Sequence, residues 1–377
     1  MGIECVQLLS DREERQVKMS VVPAETLEKL PMKFSLQEKF QHSIWISFMS
    51  LLLFASSHRI PAFGQVSEYK YLRIGNEQDV ATKTDPGYAL MGGGSDLDEA
   101  FRFLCAKSGG GDFLILRAAG GDDYNQYVHA LCRTNSIATL IVPSREAAND
   151  PKVADILGHA EAVFIAGGDQ ARYINWWQRT PVQDALNSHI AAGKPIGGTS
   201  AGLAVLGEYV YSAQGDAADD PDLTSAQALA NPYFDRVTMR RNFLQIGFLS
   251  NTLTDTHFVK RDRMGRSLVF LARIVQDGWS DNPREIAVDE KSAVLVDGNG
   301  NSRVVGPGKG AYFMQVQRKT LTCRKGTALT FHDIAVLHIF SEGHFNISSW
   351  SGSGGVSYSL SVNNGAITST QVHGDDY

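Results

Sequence analysis

The sequence predicts an α/β fold built on a doubly wound, mostly parallel sheet, with a small β-rich appendage at its C-terminal end. Three observations carry this reading. From Gly87 onward, short uninterrupted apolar runs alternate with helical patterns. Glycine clusters fall at the ends of those runs. After about residue 318 the texture changes to Ser, Gly and Asn with alternating apolar residues. Uninterrupted apolar runs of four or so residues indicate strands buried on both faces. Right-handed crossovers then place helices on both sides of a parallel sheet.

Taken in order, Tyr88-Ala89-Leu90-Met91 is the first such run and ends in Gly92-Gly93-Gly94. A helical pattern over Leu97–Lys107 follows, then Phe113-Leu114-Ile115-Leu116 and a polar loop with Gly120 and Gly121. Thr139-Leu140-Ile141-Val142 precedes a helix near Val153–His159, and Ala162-Val163-Phe164-Ile165 ends in Gly167-Gly168-Asp169-Gln170. A helix with Trp176 and Trp177 and another over Val182–Ala192 complete this half. In such sheets the loops at the carboxyl ends of the strands carry the chemistry, and the glycine clusters sit there. In the tail, Ile334–Phe340 reads as a strand, and residues 348–370 extend the β texture, suited to extending the sheet or covering an edge. The expected organisation is a leader over residues 1–64, a main domain over 65–318 and the β-rich appendage over 319–377.

Composition narrows the function classes. A chain of 377 residues with 43% hydrophobic and 20% charged residues has the apolar content for a large core and lacks the signature of disorder. Its net charge of −6 gives no basic footprint for nucleic acid. The four cysteines, Cys5, Cys105, Cys132 and Cys323, form no CxxC pair, so no cysteine metal site is expected, and one disulfide of unassigned partners is compatible with them. No cofactor is expected. Ile44–Phe54 is an uncharged apolar run of 11 residues, short of the roughly 20 needed to span a bilayer. With Met32, Lys33 and Lys39 upstream and Ala62-Phe63-Gly64 downstream, it fits a signal peptide over residues 32–64 cleaved before Gln65. The expected location is therefore secreted or periplasmic, without stable membrane insertion.

The chemistry centres on Gly198-Thr199-Ser200-Ala201-Gly202, a G-x-S-x-G pattern between a short strand at Pro195-Ile196 and an apolar helix from Leu203. A serine on a tight strand-to-helix turn is lifted clear of the sheet, and small flanking residues let strand and helix approach. The helix N-terminus directs backbone N–H groups at a developing oxyanion. A phosphate-binding or structural glycine turn is the competing reading. The candidate base is His257, in Thr254-Asp255-Thr256-His257-Phe258, which ends a probable strand 57 residues after Ser200. For the third member the sequence offers Glu208, Asp216, Asp219, Asp220, Asp222 and Asp235, and Asp235 is favoured because it precedes a strand-like segment at Val237. Lys260, Arg261, Arg263 and Arg266 follow His257 at the start of a helix marked by Met264, Leu268, Leu271 and Val275. Cations there oppose the helix dipole by about 0.3–1 kcal/mol each. They therefore call for anionic partners, either Asp255 and Asp262 or carboxylates of a substrate.

These segments resemble the cyanophycinase and dipeptidase E group of serine peptidases. The resemblance rests on Gly92-Gly93-Gly94-Ser95-Asp96, Gly167-Gly168-Asp169-Gln170, Gly198–Gly202, and Asp255-Thr256-His257-Phe258 with Arg261, Arg263 and Arg266, over roughly residues 85–315. It implies a fold similar to class I glutamine amidotransferases, with Ser200 attacking a peptide carbonyl and His257 as general base. It also implies an acid somewhat over 20 residues before the histidine, which again favours Asp235. It places Gly93, Gly94 and the N–H of Ala201 at the oxyanion and has Gln170 and the Arg261–Arg266 cluster lining the substrate site. The substrates it implies are peptides, cyanophycin or β-aspartyl dipeptides. Thr256 stands where cyanophycinases carry glutamine. An esterase using the same elbow and a non-catalytic binding protein are the alternative readings. The oligomeric state, a homodimer included, stays open.

Overall fold

Apolar runs that must be covered on both faces dictate the centre of the molecule. The computed structural model describes residues 68–215, 222–318 and 321–377. The leader and the candidates Asp216, Asp219 and Asp220 lie outside them. Five strands form the parallel core, in the spatial order Ser136–Ile141, Asp112–Arg117, Ala162–Ile165, Ile196–Thr199, Gly87–Met91. Side chains alternate between two packed layers: Leu114 and Leu116 enter one, Phe113 and Ile115 the other. That is the pattern a sheet sandwiched by helices requires.

Helices Asp98–Lys107, Asp123–Leu131, Pro151–His159, Gln170–Trp177 and Pro181–Ala191 supply the cover. The first buries Ala100, Phe101, Leu104 and Cys105, one helical stripe. Phe101 meets Phe164 at 4.7 Å between ring centroids. Truncating such a buried ring to alanine costs about 3–5 kcal/mol. Two helices start with local chemistry the sequence displays: Asp150 caps the one beginning at Pro151, and Asp169 caps the one beginning at Gln170 through the Ala171 N–H. Cys105 and Cys132, 27 residues apart, form a disulfide across the first two helices. Closing that loop in the unfolded chain is worth about 3.5 kcal/mol.

A second run of parallel strands places Thr252–Asp255 between Tyr209–Tyr211 and Arg284–Val288. Antiparallel strands flank both parallel groups. Ala293–Asp297 lies against Gly87–Met91, and Ala311–Val316 against Arg284–Val288. The long strand Thr330–Asn346 pairs with Ala311–Val316 through its first part and with Asn301–Val305 at its end. Ser351–Asn363 and Ala366–Ser369 continue outward from it. Lys70–Gly75 covers the other edge by pairing antiparallel with Ser136–Ile141, and its mixed polar sequence gave no apolar run to read. Among the described residues no helix is long and apolar enough to cross a membrane.

The register fixes where the loops emerge. Leu90 and Ile165 both lie beside Gly198, so three core strands end level with one another. Asp255 lies beside Ala287, so the segments after these two parallel strands also leave side by side.

Candidate active site

Ser200 occupies the turn between strand Ile196–Thr199 and the four-residue helix Ala201–Ala204, at φ 53° and ψ −121°. A non-glycine residue held there costs about 1–3 kcal/mol and persists only when its surroundings enforce it. Two glycines do so. A Cβ on Gly198 would stand 2.5 Å from the Gly202 carbonyl carbon, and one on Gly202 would stand 1.9 Å from the Ile165 carbonyl oxygen. The Ser200 N–H donates to the Met91 carbonyl at 3.2 Å, tying the elbow to the neighbouring strand end.

His257 is also held at positive φ, 47°. Its N–H donates to the Gly92 carbonyl (2.8 Å), and the Lys291 N–H donates to the Gly93 carbonyl (2.9 Å). Asp289 Oδ1 accepts the N–H groups of Val259 and Lys260, each at 3.0 Å. One glycine turn thus stitches together the loops that follow three strands. Side chains meet accordingly: Ser200 Oγ lies 2.7 Å from His257 Nε2, and His257 Nδ1 lies 2.7 Å from Glu290 Oε1. A Cβ on Gly93 would stand 2.4 Å from the imidazole Cε1, so this turn forms the floor under the ring.

The electrostatics keep the imidazole neutral. Burial pushes the His257 pKa below its ordinary 6.5, outweighing the Glu290 hydrogen bond that raises it; Arg261 and Arg263 push it down further. The hydrogen bond from His257 holds the Glu290 carboxyl below its usual range. With Nδ1–H donated to Glu290, Nε2 is free to accept the Ser200 proton, which is the arrangement for activating a hydroxyl. Among the described residues no group of three His, Cys, Asp or Glu side chains could hold a metal ion.

The structure corrects the acid. Asp235 is exposed, in the loop between helix Ser225–Ala230 and strand Met239–Arg241, and makes no hydrogen bond to His257. The sequence reading confined the acid to the chain between Ser200 and His257. The sheet instead sets strand Arg284–Val288 beside Thr252–Asp255, and that pairing carries Glu290 to the histidine. The readable signal is a carboxylate just past an apolar run, Ile286-Ala287-Val288-Asp289-Glu290, C-terminal to His257.

Two of the three arginines are corrected as well. Arg266 is 1% exposed and makes a two-pronged pair with Asp255, Nε to Oδ2 at 2.9 Å and Nη2 to Oδ1 at 2.5 Å. Arg263 is buried and donates to the Thr256 carbonyl (2.8 Å), Thr256 Oγ1 (3.1 Å) and Asp222 (2.5 Å). Both are therefore occupied by the protein's own carboxylates, Asp255 and Asp222. Burial would raise Asp255, yet Arg266 and Arg263 hold it below its ordinary value. Asp262 is taken by the Tyr377 hydroxyl at 3.0 Å, which in turn accepts the Met264 N–H at 2.8 Å and caps the helix Met264–Gln276. Behind this network, burial and the Asp255 charge push Glu285 well above the usual carboxylate range, and both its oxygens lack a hydrogen-bond partner.

Arg261 differs, its side chain 44% exposed and paired with the half-exposed Asp222 at 2.8 Å. Gln170 opens its helix and is half-buried. Ala201 is the first residue of the elbow helix, and Gly94 faces Glu290. Gly167, to which the sequence reading assigned no role, lies against Ser200: a Cβ on it would stand 3.4 Å from the serine Cβ.

The family description Peptidase family S51 matches residues 118–300, the segment that holds Ser200, His257 and Glu290. A cyanophycinase of Synechococcus elongatus is 28% identical over 231 residues, 58% of this chain and 65% of that protein. A cyanophycinase of Thermosynechococcus vestitus gives the same values, and one from Trichormus variabilis is 26% identical over 173 residues, 46% of this chain and 51% of its own length. The chain thus spans a little under two thirds of the first two relatives. A peptidase from an acI-B1 actinobacterium aligns with a TM-score of 0.41 at 17% identity, over 60% of this chain and 94% of that one. A putative peptidase E protein from Listeria monocytogenes aligns at 0.38 and 14%, over 59% and 98%. The resemblance of this chain to the cyanophycinase and dipeptidase E group is thus found in both the family match and the curated relatives.

The charge arrangement is testable without any substrate. NMR titration of the His257 ring should give a midpoint below 6.5. Glu290→Gln should lower it further, because the group that stabilises the imidazolium is removed, and Asp235→Asn should leave it in place. A midpoint above 6.5, or one that follows Asp235 and ignores Glu290, contradicts the assignment.

Proposed function

We propose that this chain is an exported serine-type peptidase that hydrolyses aspartyl or β-aspartyl peptide bonds through Ser200, His257 and Glu290. The observation that carries the reading is the pair of 2.7 Å contacts running from Ser200 Oγ through the imidazole to the Glu290 carboxylate. In the first step Ser200 Oγ attacks the scissile carbonyl carbon while its proton passes to His257 Nε2. The developing oxyanion is met by the N–H of Ala201 at the helix start, with the glycine loops at 93–94 and 167–168 beside it. His257 then gives the proton to the leaving amine, the C–N bond breaks, and an acyl-serine remains. Water, deprotonated by the same nitrogen, releases the acid and restores the hydroxyl. Glu290 keeps Nδ1–H in place and stabilises the imidazolium without taking its proton.

The substrate class rests on the relatives' name, cyanophycinase, and on the exposed Arg261, whose charge reaches His257 and Glu290. The Thr256 hydroxyl is turned inward to Arg263, so this position offers a substrate nothing like a glutamine carboxamide. Specificity within the acidic peptides is expected to differ from that of the relatives accordingly.

Purified protein should cleave an aspartyl or β-aspartyl peptide in preference to its asparaginyl analogue and to a simple ester. Ser200→Ala should lower kcat about a million-fold. Glu290→Gln should lower it about ten-thousand-fold, while Asp235→Asn should stay near wild type. Activity should fall on the acid side with a midpoint below 6.5, since protonated His257 cannot accept the serine proton. Full activity in Glu290→Gln, or turnover of the ester alone, would sink the proposal.

Export is supported by the apolar run Ile44–Phe54 and by the Cys105–Cys132 disulfide, a bond that persists in oxidising compartments. Protein recovered outside the cytosol should begin near Gln65 and show both cysteines unreactive to alkylation until reduced. Cytosolic protein with residues 1–64 intact and both thiols free contradicts this part of the reading.

A further inference from the structure

At the far end of helix Gln170–Trp177 from Gln170, an open groove of about 460 Å³ is lined by four arginines, Arg145, Arg179, Arg240 and Arg241, and by no acid among the described residues. The chain as a whole is acidic, at −6, so this local charge runs against its balance. Neighbouring guanidinium groups repel one another, and the elsewhere common remedy, a carboxylate as at Arg263 and Arg266, is absent here among the described residues.

The groove is braced. Arg179 is held at φ 60° and Asn242, next to Arg241, at φ 59°. Gln183 joins the two turns: its Oε1 accepts the Arg179 N–H at 2.5 Å, and its Nε2 donates to the carbonyls of Asn242 (3.0 Å) and Phe243 (2.7 Å). Gln178 Nε2 donates to the Arg241 carbonyl at 3.2 Å. Arg145 clamps the helix end, donating to the carbonyls of Asn175, Gln178 and Arg179 at 3.0–3.2 Å. Trp279, stacked on Tyr209, carries the Arg241 guanidinium 5.2 Å above its ring. The side chains of Arg179 and Arg241 form no hydrogen bond or ion pair with any described residue. Two strained turns, cross-linked by glutamine, therefore hold out two unpaired guanidinium forks. Strain of this kind collects at ligand sites, and guanidinium forks match phosphate and carboxylate oxygens in pairs.

We infer that this groove is a binding site for a compact polyanion carrying at least two phosphate or carboxylate groups, separate from the Ser200–His257–Glu290 centre. The inference does not depend on the proposed peptidase activity. The test is calorimetric titration of the full chain with pyrophosphate and with citrate in 0.1 M salt, on wild type, Ser200→Ala and the double variant Arg179→Gln/Arg241→Gln. Both arginines are exposed, so the double variant should melt as wild type does. At least one probe should bind saturably, with affinity unchanged in Ser200→Ala and at least tenfold weaker in the double variant. The tighter of the two probes identifies the group recognised, phosphate or carboxylate. Arg241→Lys should also weaken binding, because charge remains while the fork is lost. Absence of saturable binding by either probe, or equal affinity in wild type and the double variant, overturns the inference.

Discussion

A strand and a helix can meet at Ser200 only by bringing their backbones closer than side chains allow. The hypothetical Cβ of Gly202 would stand 1.9 Å from the Ile165 carbonyl, and that of Gly198 2.5 Å from Gly202 itself. This close approach forces the left-handed conformation at Ser200 and projects its hydroxyl past the ends of the parallel strands. The neighbouring strands supply the rest. Met91 accepts the Ser200 N–H, and the glycine turn that follows accepts from His257 and from Lys291. Positional accuracy therefore comes from backbone hydrogen bonds between strand ends, which are stiffer than any chain of side-chain contacts.

Much of this was legible because it depends on local chemistry. The buried strands read as apolar runs, the helix Met264–Gln276 as spacings of four, three and four, and the elbow as glycines around a serine. Glu290 was not legible, because its proximity to His257 comes from the pairing of Asp255 with Ala287, a fact about register that no single sequence segment contains. The arginines misled for a related reason. Cations at a helix start do need anions, and that part of the reasoning holds. Which anion answers depends on Asp255, at the end of the adjacent strand, pointing back into the helix, and on Asp222 arriving from a separate loop. The edge strand Lys70–Gly75 escaped because it is half exposed and carries no apolar run.

The C-terminal strands also act on the site, at one remove. Tyr377 packs against Phe258, the residue after His257, with ring centroids 5.7 Å apart, and its hydroxyl bridges Asp262 and the first N–H of the following helix. Tyr312 meets both rings from the strand beside it. The segment bearing the histidine is thus held from one side by the glycine turn and from the other by aromatic rings. Buried ionic groups complete the support: two guanidinium groups hold Asp255 below its ordinary value, whereas for Glu285 burial and the Asp255 charge outweigh the pull of Arg266.

The central claim is that Ser200 is a nucleophile activated by this geometry. A fluorophosphonate reacts covalently with such a serine and leaves ordinary hydroxyls untouched, so labelling followed by peptide mass mapping reads the claim directly. The account predicts one adduct, on the peptide containing Ser200, formed by the wild type and lost in His257→Ala although Ser200 is still present. An adduct on another serine, or no adduct in folded protein, would contradict it.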